Sequence, residues 1–195
     1  MNKKSYKALL IDKAKQVLYY KVKVSTIHNE RGFLMNLKYM LEKMEYSCLQ
    51  GDLDTEVTNL VYDSRKVIKG SVFVCISGAV MDGHDFVQEV VVKGATVVIV
   101  EKDVVLEENI TVIRVADTRL ALACMSAAYF GYPADKLKTI GITGTKGKTT
   151  TACMVRSILE GAGIKTGLIG TIEAIIGDEV IPANNTTPES YVVQE

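Results

Sequence analysis

The stretch GITGTKGKTTTACM, at residues 141–154, constrains the fold of this chain more than any other. It begins inside the apolar segment KLKTIGITG and runs into a helical pattern whose apolar face comprises Met154, Val155, Ile158 and Leu159. This arrangement predicts a strand over 136–144, a helix over 147–160 and a glycine-rich turn between them. With a further strand predicted over 165–172, the segment indicates the beginning of a parallel sheet.

The turn has the composition of a phosphate-binding loop. Glycines let backbone N–H groups approach an anion, and the N-terminus of the following helix adds about half a positive charge. Lys148 can reach the terminal phosphates of ATP as the catalytic cation, and the Thr149 hydroxyl can bind the Mg²⁺ that bridges them. The predicted nucleotide-binding residues are Gly144, Thr145, Lys146, Gly147, Lys148, Thr149 and Thr150. A merely tight turn between strand and helix is the alternative interpretation.

The rest of the chain alternates between short apolar runs and helical patterns, which predicts an α/β fold. Residues 35–133 form one predicted domain, and residues 134–195 begin a second one whose sheet is barely started at Glu195. We therefore expect the second domain to be truncated. Helices are predicted over 36–45, 82–95 and 118–133, and strands at the start of 59–67 and over 70–78, 96–102 and 110–117.

Composition excludes several classes of protein. Apolar residues make up 48% of the chain, but no apolar run approaches the roughly 18 residues that a membrane span needs. We expect no secretory signal, because the longest early apolar run ends at Asp12. The four cysteines are far apart in sequence and each lies in an apolar pattern, which predicts reduced, buried thiols in a cytoplasmic protein.

Residues 1–34 carry eight Lys/Arg and two Asp/Glu, a formal charge of +6 in a chain whose net charge is zero. Such a segment could be a nucleic-acid arm or a membrane-surface helix, but it has no clear apolar face. Our interpretation is a basic extension that is not native, with Met35 as the true start. We expect neither a nucleic acid nor a membrane as partner.

Three motifs resemble parts of one enzyme family. The pattern G-x-x-G-T-x-G-K-T-T, from Gly141 to Thr150, departs from the ordinary P-loop because GxxxxGK[ST] would need glycine where Ile142 stands. It resembles the ATP loop of the Mur ligase family, although Lys146 stands where that family more often has asparagine. YDSRKVIKGSVFVCISGAVMDGHDF, residues 62–86, resembles the family's N-terminal domain that binds uridine diphosphate. NTTP, residues 185–188, resembles the branch that adds the third residue of the peptidoglycan stem.

The resemblance implies an ATP-dependent amide ligase that phosphorylates a carboxylate and lets an amine attack the acyl phosphate. Its implied cofactors are ATP and Mg²⁺, and its implied substrate is UDP-N-acetylmuramoyl dipeptide. The third amino acid, which is diaminopimelate, lysine or ornithine, would be bound by a C-terminal domain beyond Glu195, so that this chain alone is expected to be inactive. The implied substrate-binding residues are Tyr62, Ser64, Ala79, Val80, Met81, Asn185, Thr186 and Thr187.

Several other interpretations stay open at the level of sequence. They are a ligase of the dipeptide-adding or folylpolyglutamate type, a P-loop switch protein, and a non-catalytic module that binds a nucleotide or UDP-sugar. His84 is expected to pack or cap locally rather than to act as a metal ligand or acid–base group, because no second histidine or acidic cluster stands near it.

Overall fold

The computed structural model describes residues 34–78, 81–106, 109–182 and 188–195. Two short strands, β1 (Met35–Asn36) and β3 (Glu56–Val57), form an antiparallel pair. The larger sheet has five strands: β2 (Ser47–Gln50), β4 (Asn59–Val61), β5 (Ser71–Val74), β6 (Val97–Val100) and β7 (Thr111–Arg114). Their order in the sheet is β2-β7-β6-β5-β4. Strands β4 to β7 pair in parallel, and β2 pairs antiparallel to β7 at the edge.

This sheet lies between two apolar cores, because alternate residues of β5 and β6 point to opposite faces. One face packs against α1 (Leu37–Leu41) and α3 (Thr118–Tyr129), and the other packs against α2 (Val87–Val92). Every residue of β5 and β6 is buried, as expected for central strands covered on both sides. The predicted α/β class is confirmed.

The predicted helices of this unit are confirmed in place but are shorter than predicted. The segment 82–95 divides into a 3₁₀ turn, Gly83–Phe86, and α2. The carboxylate of Asp82 caps the turn by accepting from the His84 backbone N–H. Likewise, Asp117 caps α3 by accepting from two backbone N–H groups in its first turn.

The second unit consists of α4 (Lys148–Gly161) and the antiparallel strands β8 (Gly167–Ile169), β9 (Glu173–Ile176) and β10 (Glu179–Pro182). The predicted helix and the predicted strand at 165–172 are confirmed. The predicted strand over 136–144 is wrong, since residues 137–147 belong to no strand.

Strand pairing explains why the strand predicted over 136–144 does not form and why the strands of the second sheet are antiparallel. A strand needs a neighbour for its backbone hydrogen bonds, and the Ile140 side chain remains 64% exposed. The two- and three-residue connections between β8, β9 and β10 allow only antiparallel pairing, because a parallel crossover needs about a dozen residues. The parallel pairing predicted for this unit is therefore not found among the described residues.

The chain ends in the short helix α5 (Ser190–Gln194), which packs against α3 of the first unit. Tyr191 contacts three aromatic rings there, with centroid distances of 6.0 Å to Tyr62, 6.4 Å to Tyr129 and 5.2 Å to Phe130. An ion pair between Arg119 and Glu189, 2.7 Å long, lies beside this cluster. The C-terminal residues are thus fixed to the first unit.

The cysteines differ in their exposure to solvent. Cys75 is buried, and this burial raises the pKa of its thiol to about 12, but Cys48 and Cys153 are exposed, so the prediction of buried thiols is wrong for both. Cys48 lies on the edge strand β2 and Cys153 on the exposed helix α4, neither of which is covered by another layer.

Within the part of the chain that the structure describes, no helix combines the length and apolar character needed to span a membrane. The basic extension lies outside the described residues except for Leu34.

Candidate active site

The glycine-rich loop leads directly into the first turn of α4. Gly147 precedes the helix in the left-handed conformation, with φ of 77°, which glycine adopts without strain. No side chain caps the helix, and all residues from Gly144 to Thr150 are exposed. The first-turn N–H groups are therefore available to an anion at the positive end of the helix dipole.

Lys148 folds back over the loop that precedes it. Its ammonium donates a hydrogen bond of 2.7 Å to the backbone carbonyl of Gly144. A lysine ammonium has three donors, so two remain for phosphate oxygens while the loop keeps its shape. Lys146 is also exposed but makes no polar contact with any described residue. The two lysines of this loop therefore differ, because Lys148 has a fixed hydrogen-bond partner among the described residues and Lys146 has none.

The donors available for a metal fit a magnesium ion carried by the nucleotide. Thr149 lies exposed in the first turn of α4, where its hydroxyl can supply one oxygen ligand. Across the described residues, no group of three or more His, Cys, Asp or Glu side chains could hold a metal on its own. Mg²⁺ commonly keeps several waters and binds through few protein ligands together with phosphates, which suits this set.

Tyr62 and Ser64 lie just beyond the carboxyl end of β4, in a turn that Asp63 stabilises. The Asp63 carboxylate forms a two-pronged ion pair with Arg65, at 2.9 and 2.8 Å, and also accepts from the Arg65 backbone N–H. The hydrogen bond from the Arg65 side chain is the main cause that lowers the pKa of Asp63 to about 2. The Ser64 carbonyl accepts from the Lys93 ammonium at 3.0 Å, so the turn is held from both sides.

Met81 lies beyond the end of the neighbouring strand β5. Its carbonyl accepts from the Gly78 N–H at 2.9 Å, and its side chain is 65% exposed. The other two predicted members of this loop, Ala79 and Val80, lie outside the described residues, as do Asn185, Thr186 and Thr187. Their roles remain predictions.

Tyr62 is joined to the residues that follow the NTTP motif. Its ring contacts that of Tyr191 in α5, and its pKa is raised by burial and then by the nearby charge of Glu189. No sequence pattern predicted this contact, because Tyr62 and Tyr191 are far apart in the chain. The structure thus brings Tyr62, one predicted substrate-binding residue, into contact with Tyr191, which follows the NTTP motif in the chain.

The chain is similar to known proteins over most of its length. Residues 56–130 match the family described as "Mur ligase family, catalytic domain", and residues 142–195 match "Mur ligase middle domain". The UDP-N-acetylmuramoyl-L-alanyl-D-glutamate–2,6-diaminopimelate ligase of Clostridium perfringens (strain 13 / Type A) is 52% identical over 161 residues, which are 83% of this chain and 33% of that protein.

Two solved structures also resemble the chain. A UDP-N-acetylmuramoyl-L-alanyl-D-glutamate–2,6-diaminopimelate ligase matches with a TM-score of 0.62 over 83% of this chain and 32% of that one, and its 21% identity is evidence of fold alone. The UDP-N-acetylmuramoylalanyl-D-glutamyl-2,6-diaminopimelate–D-alanyl-D-alanyl ligase of Acinetobacter baumannii matches at 33% identity and a TM-score of 0.50, covering 68% and 29%.

The present chain spans about one third of the length of the relatives it matches. The two matched family regions together take in most of the described residues and follow one another in the order expected from the motifs. Because both matched regions carry Mur ligase descriptions and the C. perfringens ligase is 52% identical over 83% of this chain, the chain belongs to the Mur ligase family.

Proposed function

We propose that this chain corresponds to the N-terminal portion of an ATP-dependent ligase that adds the third amino acid to UDP-N-acetylmuramoyl-L-alanyl-D-glutamate in peptidoglycan synthesis. The observation that carries the proposal is the exposed glycine loop whose Lys148 ammonium lies on the Gly144 carbonyl at the open N-terminus of α4. Among diaminopimelate, lysine and ornithine, we choose diaminopimelate because the C. perfringens relative is named for it. We place the reaction in the cytoplasm, where free thiols such as these persist.

In this proposal, the residues from Gly144 to Thr150 hold the phosphates of ATP. Backbone N–H groups of the first turn of α4 bind phosphate oxygens, and the two free donors of Lys148 neutralise the charge that develops on the transferred phosphoryl group. Thr149 would contribute one oxygen ligand to Mg²⁺. When bound, that ion supplies charge neutralisation between the phosphates.

The sugar substrate is assigned to the first unit. Tyr62, Ser64 and the loop Ala79–Val80–Met81 would contact the UDP-sugar beyond the carboxyl ends of β4 and β5, the edge at which parallel sheets usually bind ligands. Asn185, Thr186 and Thr187 would hold the peptide-bearing part near ATP. The docking of Tyr191 against Tyr62 supports this placement, because it brings the chain that follows these residues to the same edge.

The dipeptide-adding ligase is the second candidate. It is favoured by the A. baumannii structure at 33% identity, whereas the diaminopimelate ligase structure is only 21% identical. The C. perfringens relative outweighs both, because its identity is 52% over 83% of this chain. The third-residue ligase is therefore our first choice.

Titration calorimetry with the 195-residue chain separates these candidates. We expect saturable binding of Mg²⁺–ATP and of UDP-N-acetylmuramoyl-L-alanyl-D-glutamate, and no binding of folate. Tighter binding of the UDP-muramoyl tripeptide than of the dipeptide would instead favour the dipeptide-adding ligase. Binding of neither UDP-sugar would refute the proposed substrate.

A second assay measures ADP release and tripeptide formation with diaminopimelate, lysine or ornithine. We expect binding without turnover, because holding the attacking amine near the acyl carbon can supply about 7–11 kcal/mol and no residue described here is assigned to that task. Amino-acid-dependent turnover by this chain would refute our assignment of the amine site to a region beyond these residues. It would also exclude the non-catalytic module as an alternative.

A further inference from the structure

The connection between β4 and β5, residues 62–70, lies against α2. Val67 in this connection is buried in the same apolar core as Val90 of α2. At the far end of the connection, the Gly70 N–H donates to the carbonyl of Gly94 at 2.8 Å. The turn at the start of this connection therefore belongs to a segment that packs closely on the helix.

Lys93, the residue that ends α2, makes a polar bridge to this connection. Its ammonium donates to the Ser64 carbonyl at 3.0 Å and to the carboxylate of Glu89, one helical turn earlier. The side chains of Lys93 and Glu89 are 38% and 48% exposed. An exposed ion pair of this kind contributes little to stability. The bridge therefore fixes the position of the Ser64 carbonyl more than it stabilises the fold.

Ser64 combines a fixed backbone with a free hydroxyl. It begins the 3₁₀ turn Ser64–Lys66, in which the Lys66 N–H donates to the Asp63 carbonyl at 2.9 Å. The residue is half-buried, and its hydroxyl forms no hydrogen bond with any residue that the structure describes. A serine hydroxyl is joined to its backbone through one rotatable bond with three preferred positions. Holding the carbonyl thus restricts the directions in which the hydroxyl can point.

The Ser64 hydroxyl belongs to the edge of the sheet where a ligand is expected. Ser64 follows the carboxyl end of β4, which pairs in parallel with β5, and parallel sheets bind ligands outside the carboxyl ends of their strands. A hydroxyl offers one donor and two acceptor sites, and water can satisfy them in the free protein. A ligand therefore gains most from this group when the hydroxyl is held in place before binding.

We propose that Lys93 is a positioning residue that holds the Ser64 carbonyl and thereby orients the Ser64 hydroxyl towards the UDP-sugar. This inference rests on the proposed function, since it takes Ser64 as a contact with that substrate. Lys93 acts through Ser64 and need not touch the ligand itself. Its replacement should weaken binding of the UDP-sugar and leave binding of ATP unchanged, because the ATP loop belongs to the second unit.

The test measures dissociation constants of the full 195-residue chain for UDP-N-acetylmuramoyl-L-alanyl-D-glutamate and, separately, for Mg²⁺–ATP. Lys93→Met should raise the constant for the UDP-sugar about three- to tenfold, the effect of one hydrogen bond, with that for ATP within about twofold. The matched control is Lys69→Met, which removes the same charge from residues 62–70. Lys69 is exposed, and its ammonium has no partner among the described residues, so we expect a change within about twofold. Equal losses from both variants would overturn the positioning role.

A double-mutant cycle with Ser64→Ala shows whether Lys93 acts through the Ser64 hydroxyl. In a chain that already carries Ser64→Ala, Lys93→Met should change the dissociation constant for the UDP-sugar by less than about twofold, because the hydroxyl that it orients is gone. Losses that multiply independently would mean that Lys93 acts by another route, and would overturn the proposal. Lys93→Arg keeps a charged donor and should bind the UDP-sugar within about twofold of the wild type. Binding no tighter than that of Lys93→Met would also overturn it.

Hydrogen exchange reports on the turn without any ligand. Exchange of the Lys66 amide should accelerate in Lys93→Met, while that of the Cys75 amide, bonded to the Ile99 carbonyl at 3.0 Å, stays as in the wild type and shows that the sheet is intact. If the wild-type chain does not bind the UDP-sugar, the proposed function fails and this inference with it. If the wild type binds but Lys93→Met binds equally well, or loses ATP affinity to the same extent, only the positioning role is overturned.

Discussion

The replacement Lys148→Met tests the assignment of the nucleotide loop most directly. In the structure, the Lys148 ammonium is bonded at 2.7 Å to the carbonyl of Gly144, and the aliphatic stem lies at the surface. Methionine keeps a flexible, unbranched stem and removes the ammonium alone. Because α4 has no buried residue, loss of the ammonium should leave the cores of the protein undisturbed.

The expected magnitude follows from the donors that the variant loses. One donor of Lys148 binds the loop, and the other two are free for phosphate oxygens. A hydrogen bond to a charged group contributes about 1.5–3 kcal/mol, so the dissociation constant for ATP should rise about tenfold to a hundredfold. Lys146→Met removes the same formal charge from the same loop, but an exposed charge without a fixed partner contributes about 0.2–1 kcal/mol, or less than about fivefold.

Fluorescence titration with a labelled ATP analogue, at low and at high salt, measures both variants under identical conditions. Added salt should remove most of the effect of Lys146→Met and little of the effect of Lys148→Met, because screening acts mainly on charges that are not in contact. Equal losses at the two positions would refute the reasoning. They would show that the loop attracts ATP by net charge rather than through one positioned ammonium.

Three further predictions follow from local geometry. Gly147→Ala should lower the free energy of unfolding by about 1–2 kcal/mol in urea denaturation, solely through its φ of 77°, because an added Cβ meets no atom within 4 Å; no change would mean that α4 does not begin as described. Tyr191→Ala should lower the free energy of unfolding by about 1–3 kcal/mol through loss of three aromatic contacts, whereas Tyr191→Phe should change it little; equal losses would point to the hydroxyl instead. Since the pKa of Asp63 is lowered from 3.8 to about 2, its carboxylate stabilises the fold above about pH 4 and loses this effect as pH falls towards 2, so Asp63→Asn should lack that part of acid destabilisation in pH-dependent melting curves.

The central strands were predictable from sequence because their signal is local. Ser71–Val74 and Val97–Val100 are short, mainly apolar runs covered on both faces. Such runs can be recognised in the sequence without knowing which strands pair with them. Strand β2 gave no such signal. It lies at the sheet edge with three of four residues exposed, and it is held by pairing with a strand more than 60 residues away.

The same distinction explains what was predictable of the site. The glycine loop could be recognised because its glycines, lysines and threonines lie within ten residues of one another. The strand predicted before it failed because an apolar pattern cannot reveal whether a partner strand is present. His84 could be recognised as a local cap, but its bond to the Glu101 N–H depends on how two strands pair.

The docking of α5 gives the two proposed ligand sites a physical connection. Ser190–Gln194 is too short to be a stable helix alone, so its order derives from Tyr191 in the aromatic cluster and from the ion pair between Arg119 and Glu189. A ligand that binds at the Tyr62 end of the first unit would therefore stabilise the docked helix. By linkage, any gain in affinity that the UDP-sugar obtains from a docked α5 must equal the stabilisation of that docking by the UDP-sugar. If the UDP-sugar binds at Tyr62 as proposed, the docking of α5 would link that binding to the order of residues 189–195.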